Sequence, residues 1–464
     1  MTKICYVSQS FYPYTGGVSD YLLDLGKGLV KTGHEVHEIS LSTPETPRFE
    51  VVDGIQVHRF YRKGAEDAMR GYGIFKENIL KVCHGEKVSP NILAGREKFG
   101  YKKYTRFNEE ARREVEVLHA EERFDLIHVH DFQFLPLGGM LKEDGVEVPI
   151  VYTWHIPFLR SFPSEWKDFF IEYINDYDRC VFSTDEYVEA AVESGLEREK
   201  IVRIMPFVDH VRFESGDGGA FRDRFRLTWA GDERVLQSEG ARNDAISWFY
   251  YVLYGQKPAQ TPFHEGPPII LCVSRMDPRK GHTTLIEAMP YVLKEFPYAK
   301  AVFVGNGSMT GKIIASRSRS SYSEKLEKLV EEKNLRHNVV FTGHLEDDEL
   351  QNAFASGFVV IQPSIMEGFG LTVTEGMLFG KPVVGSDAGG IKYQIIDGDT
   401  GYLFNPGDSR ELAEKILALL RDPDKAGEMG RNARKRALEI FDVGRGLGDH
   451  LELYSRMLDK PNHS

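Results

Sequence analysis

Cysteine is scarce in this chain: four in 464 residues, at Cys5, Cys83, Cys180 and Cys272. They lie far apart, with no CxxC pair and no zinc spacing, which excludes a disulfide-stapled scaffold and a structural zinc module. They read as reduced, mostly buried thiols of a cytoplasmic protein. No stretch reaches the roughly 18 apolar residues that cross a bilayer, so no transmembrane segment is expected. The opening MTKICYVSQS has no charged segment followed by an apolar one, so no secretory leader is expected either. Positive charge is in deficit, with 58 Lys+Arg against 70 Asp+Glu and a net charge of −12, which argues against nucleic acid as a partner. A GxGxxG directly after a strand, with an acidic residue about twenty positions on, is absent as well, and this excludes a dinucleotide-binding oxidoreductase. No DxD triad stands out as a metal site. Asp347-Asp348 falls at a helix start, where Asp is ordinarily a cap or first-turn residue.

What is present is apolar enough to fold. Hydrophobic residues make up 41% and charged residues 28%, which excludes disorder, and the length suggests two or three domains. The chain opens as strand, glycine loop, helix, strand. Ile4–Val7 is a buried-strand run, FYPYTGG a loop ending in Gly16 and Gly17, and Val18, Leu22, Leu25 and Leu29 recur at helical spacing before Gly33. Glu35–Leu41 is the next strand, so the unit is βαβ and the sheet is expected to be parallel. Short apolar runs follow in FDLIHVHD, VPIVYTWH, RCVFSTD and IVRIMPF, each ending in a polar residue or loop.

Residues 60–120 differ, being rich in Lys, Arg, Tyr and Phe; they read as helices or an irregular excursion, and the basic and aromatic part, 60–113, leaves transient peripheral membrane contact open. Residues 214–266 differ again, with SGDGG, the aromatic cluster WFYYVLYG and a closing EGPP. The cluster suits a core or a subunit interface better than a sugar platform, so a homo-oligomer stays open. Alternation then restarts at PIILCVSRMD and runs to KPVVGSD, read as the final strand, before two helices in 409–440 and a last stretch to Leu458. Two open α/β units of similar size result, and in such sheets ligands sit beyond the carboxyl ends of the strands.

The richest stretch is PSIMEGFGLTVTEGMLFGKPVVGSDAGG, 363–390. A strand ends at Pro363 and a glycine turn, Glu367-Gly368-Phe369-Gly370, opens a helix that carries Glu375. Glycines let backbone N–H groups approach an anion, and a helix N-terminus adds free donors and partial positive charge, so phosphate is the natural guest. Carboxylates beside a phosphate would repel it, so Glu367 and Glu375 suit sugar hydroxyls. Singly, each feature equally suits a capped helix beside a surface glutamate; with Gly389 and Gly390 after the next strand, the combination favours a ligand site.

The pattern E-G-F-G-L-x-x-x-E resembles the signature of retaining nucleotide-sugar glycosyltransferases of the GT-B fold, glycosyltransferase family four, also described as glycosyl transferases group one. SRMDPRKG at 274–281, VGNG at 304–307, FTGHLEDDEL at 341–350 and the opening YPYTGGVSDYLLDLGKGLVKTGHEV match in order and spacing. The likeness covers nearly the whole chain and is weakest in 60–120 and 220–265.

The resemblance implies an α/β protein of two Rossmann-like domains facing each other across a cleft. The division expected is 1–210 on the acceptor side, 211–266 as a linker with an inserted segment, 267–440 binding the nucleotide sugar, and 441–464 crossing back to the first domain. Arg275 and Lys280 become a pyrophosphate clamp together with the amides of Leu371 and Thr372. Glu375 takes ribose hydroxyls; Glu367 with Gly368, Phe369 and Gly370 takes the donor hexose. Gly16 and Gly17 lie close to the donor phosphates and the acceptor. His155, ending VPIVYTWH, points at the donor sugar near its 6-hydroxyl. His130, Asp131 and Gln133 border the acceptor or support that loop, and a satisfied structural His–Asp pair is as good a reading of the first two. The implied reaction is metal-independent hexosyl transfer with retention, from a UDP-, GDP- or ADP-sugar to a small sugar, sugar phosphate or glycerate-type acceptor, with no resident cofactor. A nucleotide-sugar epimerase of the same fold, a transferase acting on lipid or polysaccharide, and a non-catalytic sugar-binding scaffold are the alternatives.

Overall fold

The computed structural model describes residues 1–13, 16–42, 46–60, 66–89, 91–213, 215–228, 266–305 and 321–459. It divides into two compact units, Met1–Asp209 with Phe441–Ser464, and His210–Ile440. The expected linker thus begins inside the second unit: the helix Gly218–Arg224 packs on the helix Asp347–Ser356, and buried Arg222 donates to Ser356 O at 3.0 Å and Pro267 O at 2.9 Å. The WFYYVLYG cluster, most of the inserted segment, and Asn306-Gly307 lie outside the described residues.

The first unit holds an eight-stranded sheet. Its strands are β1 (Lys3–Val7), β2 (Glu35–Leu41), β3 (Phe49–Val52), β4 (Ile55–Phe60), β5 (Leu126–His130), β6 (Ile150–Thr153), β7 (Arg179–Phe182) and β8 (Ile201–Arg203), in the spatial order β3-β4-β2-β1-β5-β6-β7-β8. β1 is central and pairs in parallel with β2 (Lys3↔Glu35) and β5 (Ile4↔Leu126). The expectation of a parallel sheet needs one correction: β3 runs antiparallel to β4 at the edge. Asp53-Gly54 turns this hairpin, both with positive φ (51° and 87°), the dipeptide that two-residue hairpins favour. The helix Gly17–Lys31 buries Leu22, Leu25 and Leu29 against one sheet face. On the other face, residues 66–122 supply two mutually packed helices, Glu66–Cys83 and Tyr101–Glu122, whose Tyr72, Phe75, Tyr104 and Phe107 fill an aromatic core.

The chain returns to this unit late. Val208 N–H bonds to Phe441 O at 2.9 Å and Val443 N–H to Val208 O at 3.2 Å, and the helix Val443–Leu458 then lies on Gly17–Lys31.

The second unit is a six-stranded parallel sheet of β9 (Ile269–Val273), β10 (Lys300–Val304), β11 (Val339–Gly343), β12 (Val359–Gln362), β13 (Val383–Ser386) and β14 (Gly401–Phe404), ordered β11-β10-β9-β12-β13-β14. KPVVGSD is therefore not the final strand; it becomes β13, and β14 follows at the sheet edge, with Gly401 opposite Val383. A Cβ at Gly401 would lie 2.1 Å from Val383 O, so only glycine fits there. All four cysteines are buried free thiols, and burial pushes Cys180 and Cys272 up to about 12. Among the described residues no helix is long and apolar enough to cross a membrane.

Candidate active site

In the second unit the chemistry gathers where β9 and β12 end. β12 stops at Gln362, and the chain turns through Glu367-Gly368-Phe369-Gly370 into the helix Leu371–Leu378. Gly370, with φ 86°, takes the left-handed conformation at the helix N-cap. Val373 N–H bonds back to Gly370 O at 2.9 Å, while the amides of Leu371 and Thr372 are first-turn donors of the kind a helix leaves without an internal acceptor.

The turn is held from beneath by side chains that sequence spacing does not single out. Gln394, fully buried, donates from Nε2 to Phe369 O at 2.6 Å and Gly370 O at 3.2 Å, and its Oε1 accepts from Thr374 Oγ1 at 2.6 Å. Gly390 approaches so closely that a Cβ would lie 2.4 Å from Phe369 Cα and 2.6 Å from Gly368 O. Ser386 Oγ donates to Ser364 O at 2.5 Å. Of these, Gly390 belongs to the glycine pair noted beyond this strand, whereas Ser386, which ends β13, and Gln394 carry no such sequence signal.

Glu367 is 8% exposed, and its Oε2 is the centre of a small polar network. It accepts from Lys280 Nζ at 2.6 Å, Ser364 Oγ at 3.0 Å and Gln362 Nε2 at 3.1 Å. Lys280 stands in the loop after β9, which is laced to the loop after β12: Ile365 N–H bonds to Arg279 O at 2.9 Å, and Gly281 sits against Pro363 O with no room for a Cβ. Two residues expected in different roles, Lys280 and Glu367, are thus an ion pair in the protein. The loop is stiffened by Asp277, which accepts from Arg279 N, Nε and Nη2 at 2.6–3.0 Å. Burial pushes the Asp277 carboxyl up, but the bonds and charge of Arg279, with Arg275 adding to them, outweigh this and hold it at about 2. Arg275 itself is exposed at the strand end. Glu375 lies on the helix Leu371–Leu378, partly exposed, beyond the first turn.

In the first unit the corresponding strand ends are those of β1, β5 and β6. His130, Asp131 and His155 come together there. His130 Nδ1 lies 3.1 Å from His155 Nε2, and the Asp131 carboxylate accepts from the His155 N–H at 3.3 Å. Asp131 has φ 71°, a strained conformation that often marks functional loops. Burial raises its carboxyl to about 6 against opposing hydrogen bonds from the Phe132 and His155 amides and the Gln133 side chain. Burial also lowers His155 to about 3, so the ring is neutral at ordinary pH. His130 is fully buried and Asp131 nearly so, whereas His155 is partly exposed. Gly17 opens the helix Gly17–Lys31; Gly16 is exposed, and a Cβ there would meet nothing within 4 Å, so internal packing does not explain that glycine.

One acid–histidine group lies elsewhere. Glu35, His37 and Glu122 converge at the amino ends of β1 and β2. Lys3 Nζ lies 2.9 Å from Glu122 and 3.4 Å from Glu35, so a cation of the chain already offsets part of their charge.

Two α/β units built on mainly parallel sheets, one carrying a glycine turn at a helix N-terminus with a largely buried Lys–Glu pair, have the architecture of the GT-B class. The comparisons agree. Residues 15–212 match the family described as Glycosyltransferase Family 4, and residues 255–436 match Glycosyl transferases group 1. The trehalose synthase of Thermococcus litoralis is 31% identical over 388 residues, 81% of this chain and 79% of that protein. Among solved structures, sucrose-phosphate synthase from Thermosynechococcus elongatus superposes with a TM-score of 0.71 at 20% identity, covering 98% of this chain and 99% of that one. Anabaena HepE, solved in complex with UDP and glucose, superposes at 0.68 and 19% identity over 98% and 100% of the two chains. The chain belongs to the family-four (group 1) glycosyltransferases, and it is a glycosyltransferase enzyme of the GT-B fold.

Proposed function

We propose that this enzyme transfers a hexose from a nucleoside-diphosphate sugar to a hydroxyl of a small soluble sugar, with retention of anomeric configuration and without a divalent metal. The observation that carries the reading is the buried Glu367–Lys280 pair set directly beneath a glycine turn that opens a helix. The amides of Leu371 and Thr372, with Arg275 and Lys280, hold the pyrophosphate. Glu367 and the amides of Gly368, Phe369 and Gly370 hold the hexose hydroxyls, and Glu375 takes the ribose. From the first unit, the family resemblance assigns Gly16 and Gly17 to the donor phosphates and His155 to the donor sugar. His130 and Asp131 support His155, and Gln133 borders the acceptor.

The chemistry is charge management. The bond from the anomeric carbon to the β-phosphate oxygen breaks and a bond to the acceptor oxygen forms on the same face; the acceptor proton passes to the leaving phosphate. Negative charge grows on the diphosphate, and Lys280, held by Glu367, with Arg275 and a helix N-terminus are the groups suited to offset it. The trehalose synthase relative supports a small sugar as acceptor, and the UDP-bound solved neighbour makes UDP-glucose the first donor to test.

The test is a panel of UDP-, GDP- and ADP-glucose, first for slow hydrolysis and then with glucose and glucose phosphates as acceptors, in EDTA, with the product anomer read by proton NMR. Turnover in EDTA with an α-linked product from an α-linked donor is expected. No release of nucleotide from any donor would overturn the reading; activity restored only by Mn²⁺, or an inverted product, would overturn its metal-free or retaining part.

A further inference from the structure

The first unit buries a set of imidazoles and phenols drawn from opposite ends of the chain. His128, His130 and His450 are fully buried, as are Tyr6, Tyr21 and Tyr454 to within a few per cent. Their hydrogen bonds allow protons to be assigned. His450 Nδ1 lies 2.7 Å from Gly446 O, which can only accept, so that nitrogen carries the proton. Burial lowers His450 to about 4, the ring is neutral, and its Nε2 is therefore a lone pair that accepts from Tyr21 OH at 2.8 Å. The Tyr21 ring, tied in this way, stands edge-on to His155 with centroids 5.2 Å apart.

His130 stacks on His155 as well, with ring centroids 5.4 Å apart and 23° between the planes. Burial carries His130 well below its usual range and His155 to about 3, so a single proton lies between His130 Nδ1 and His155 Nε2. If His155 supplied it, His130 would carry its own proton on Nε2. That nitrogen is buried and has no hydrogen-bond partner among the described residues. Buried N–H groups are rarely left orphaned, and an unused lone pair is the lesser penalty. The proton therefore belongs to His130 Nδ1, His155 Nε2 accepts it, and His155 keeps its own proton on Nδ1, the nitrogen not engaged by His130. The stack is backed by His128, whose ring lies 4.1 Å from that of His130 and which bridges Tyr454 OH and Thr153 Oγ1, each at 2.7 Å.

We propose that His130 is a positioning residue that locks His155 in the Nδ1–H tautomer, so that His155 meets the donor sugar as a fixed hydrogen-bond donor and takes up no proton during turnover. The lock stands on the network alone; its use on the sugar rests on the function proposed above.

The experiment uses the full chain labelled with 15N-histidine. Long-range proton–nitrogen spectra distinguish protonated from bare ring nitrogens, and the spectrum of His155→Gln identifies the His155 signals by their loss. Expected is a protonated Nδ1 and a bare Nε2 on His155 in the unmodified protein; a protonated Nε2 overturns the lock, with no variant needed. In His130→Leu the His155 signals should move to tautomer-averaged positions, and an unshifted Nδ1–H form would also overturn it. The kinetic arm compares UDP-glucose with UDP-xylose, which lacks the 6-hydroxymethyl group. The preference for UDP-glucose in kcat/KM should fall about tenfold in His130→Leu, the worth of roughly one hydrogen bond. An unchanged preference beside the expected spectrum overturns the role toward the sugar. An enzyme that uses no nucleotide sugar refutes the proposed function, while the spectrum still decides the lock.

Discussion

Gly390→Ala isolates the glycine turn from everything else in the second unit. The backbone at Gly390 has φ −72° and ψ −14°, a conformation alanine adopts without strain, so any effect comes from contact. The new methyl would lie 2.4 Å from Phe369 Cα, where ordinary contact begins at 3.4 Å, so the two segments must part by about 1 Å. They resist parting: Gly390 N–H bonds to Glu367 O at 3.3 Å, and Gln394 ties Phe369 O from below. Overpacking of this kind costs about 1–3 kcal/mol, and for a unit of this size each kcal/mol lowers Tm by roughly 2–4 °C. Displacing substrate-gripping groups by about 1 Å costs on the order of 100-fold in rate. The expected signature is therefore a large loss of kcat/KM for the nucleotide sugar with a modest loss of Tm, read by coupled nucleotide release and scanning calorimetry. Gly398→Ala is the control: its φ of 81° strains an alanine, yet nothing lies within 4 Å, so it should lose stability and keep activity. A Gly390→Ala enzyme within about twofold of the unmodified kcat/KM would refute the placement of the donor on this turn.

Two further outcomes follow from buried charge. Lys280→Met and Glu367→Gln each break a pair whose side chains are 18% and 10% exposed, so each should cost about 3–5 kcal/mol, and the double variant should cost about 2–3 kcal/mol less than the two together; additive losses in denaturant unfolding would show the pair to be energetically uncoupled. Glu38 is fully buried, and burial raises its carboxyl to about 8 against smaller opposing pulls from the Ser8 hydroxyl and Arg59. A folded pKa above the unfolded 4.5 gives stability that is complete below pH 4.5 and is lost as pH rises toward 8. Glu38→Gln should flatten that decline in Tm between pH 5 and 8, and a variant profile parallel to the original would count against it.

The parts legible in the sequence were those with local signals. The Ile4–Val7 run, the glycine loop and the leucines at 22, 25 and 29 announce β1 and its helix, and E-G-F-G ahead of an apolar helix announces the turn. The Asp53-Gly54 hairpin was equally written there, between FEVV and IQVHRF, but its strands are short and one lies at an edge with exposed side chains, so alternation is faint. β14 has four residues and takes its register from Val383, a partner no local pattern reveals. The Lys280–Glu367 pair joins residues 87 positions apart, and Gln362, Ser364 and Gln394 are polar residues whose importance comes only from what they face once the strands align. His450 and Tyr454 sit on a helix whose apolar face reads as ordinary amphipathicity; their meeting with Tyr21 and His128 is a product of topology.

That topology also sets an order of events on the ribosome. The sheet of the first unit is complete in sequence by residue 209, yet the helix that supplies partners to Tyr21, Tyr6 and His128 begins at Val443, after the whole second unit has been made. At about 5–20 residues per second the nascent first unit waits roughly 10–50 s with Tyr21 and Tyr6 lacking these partners, His128 holding only Thr153, and the face of Gly17–Lys31 uncovered. Through that interval it presents apolar surface that chaperones and proteases can read. A substitution that slows folding of residues 210–440 therefore lengthens the exposure of a unit it does not touch, and its damage would surface as lost yield of the entire enzyme.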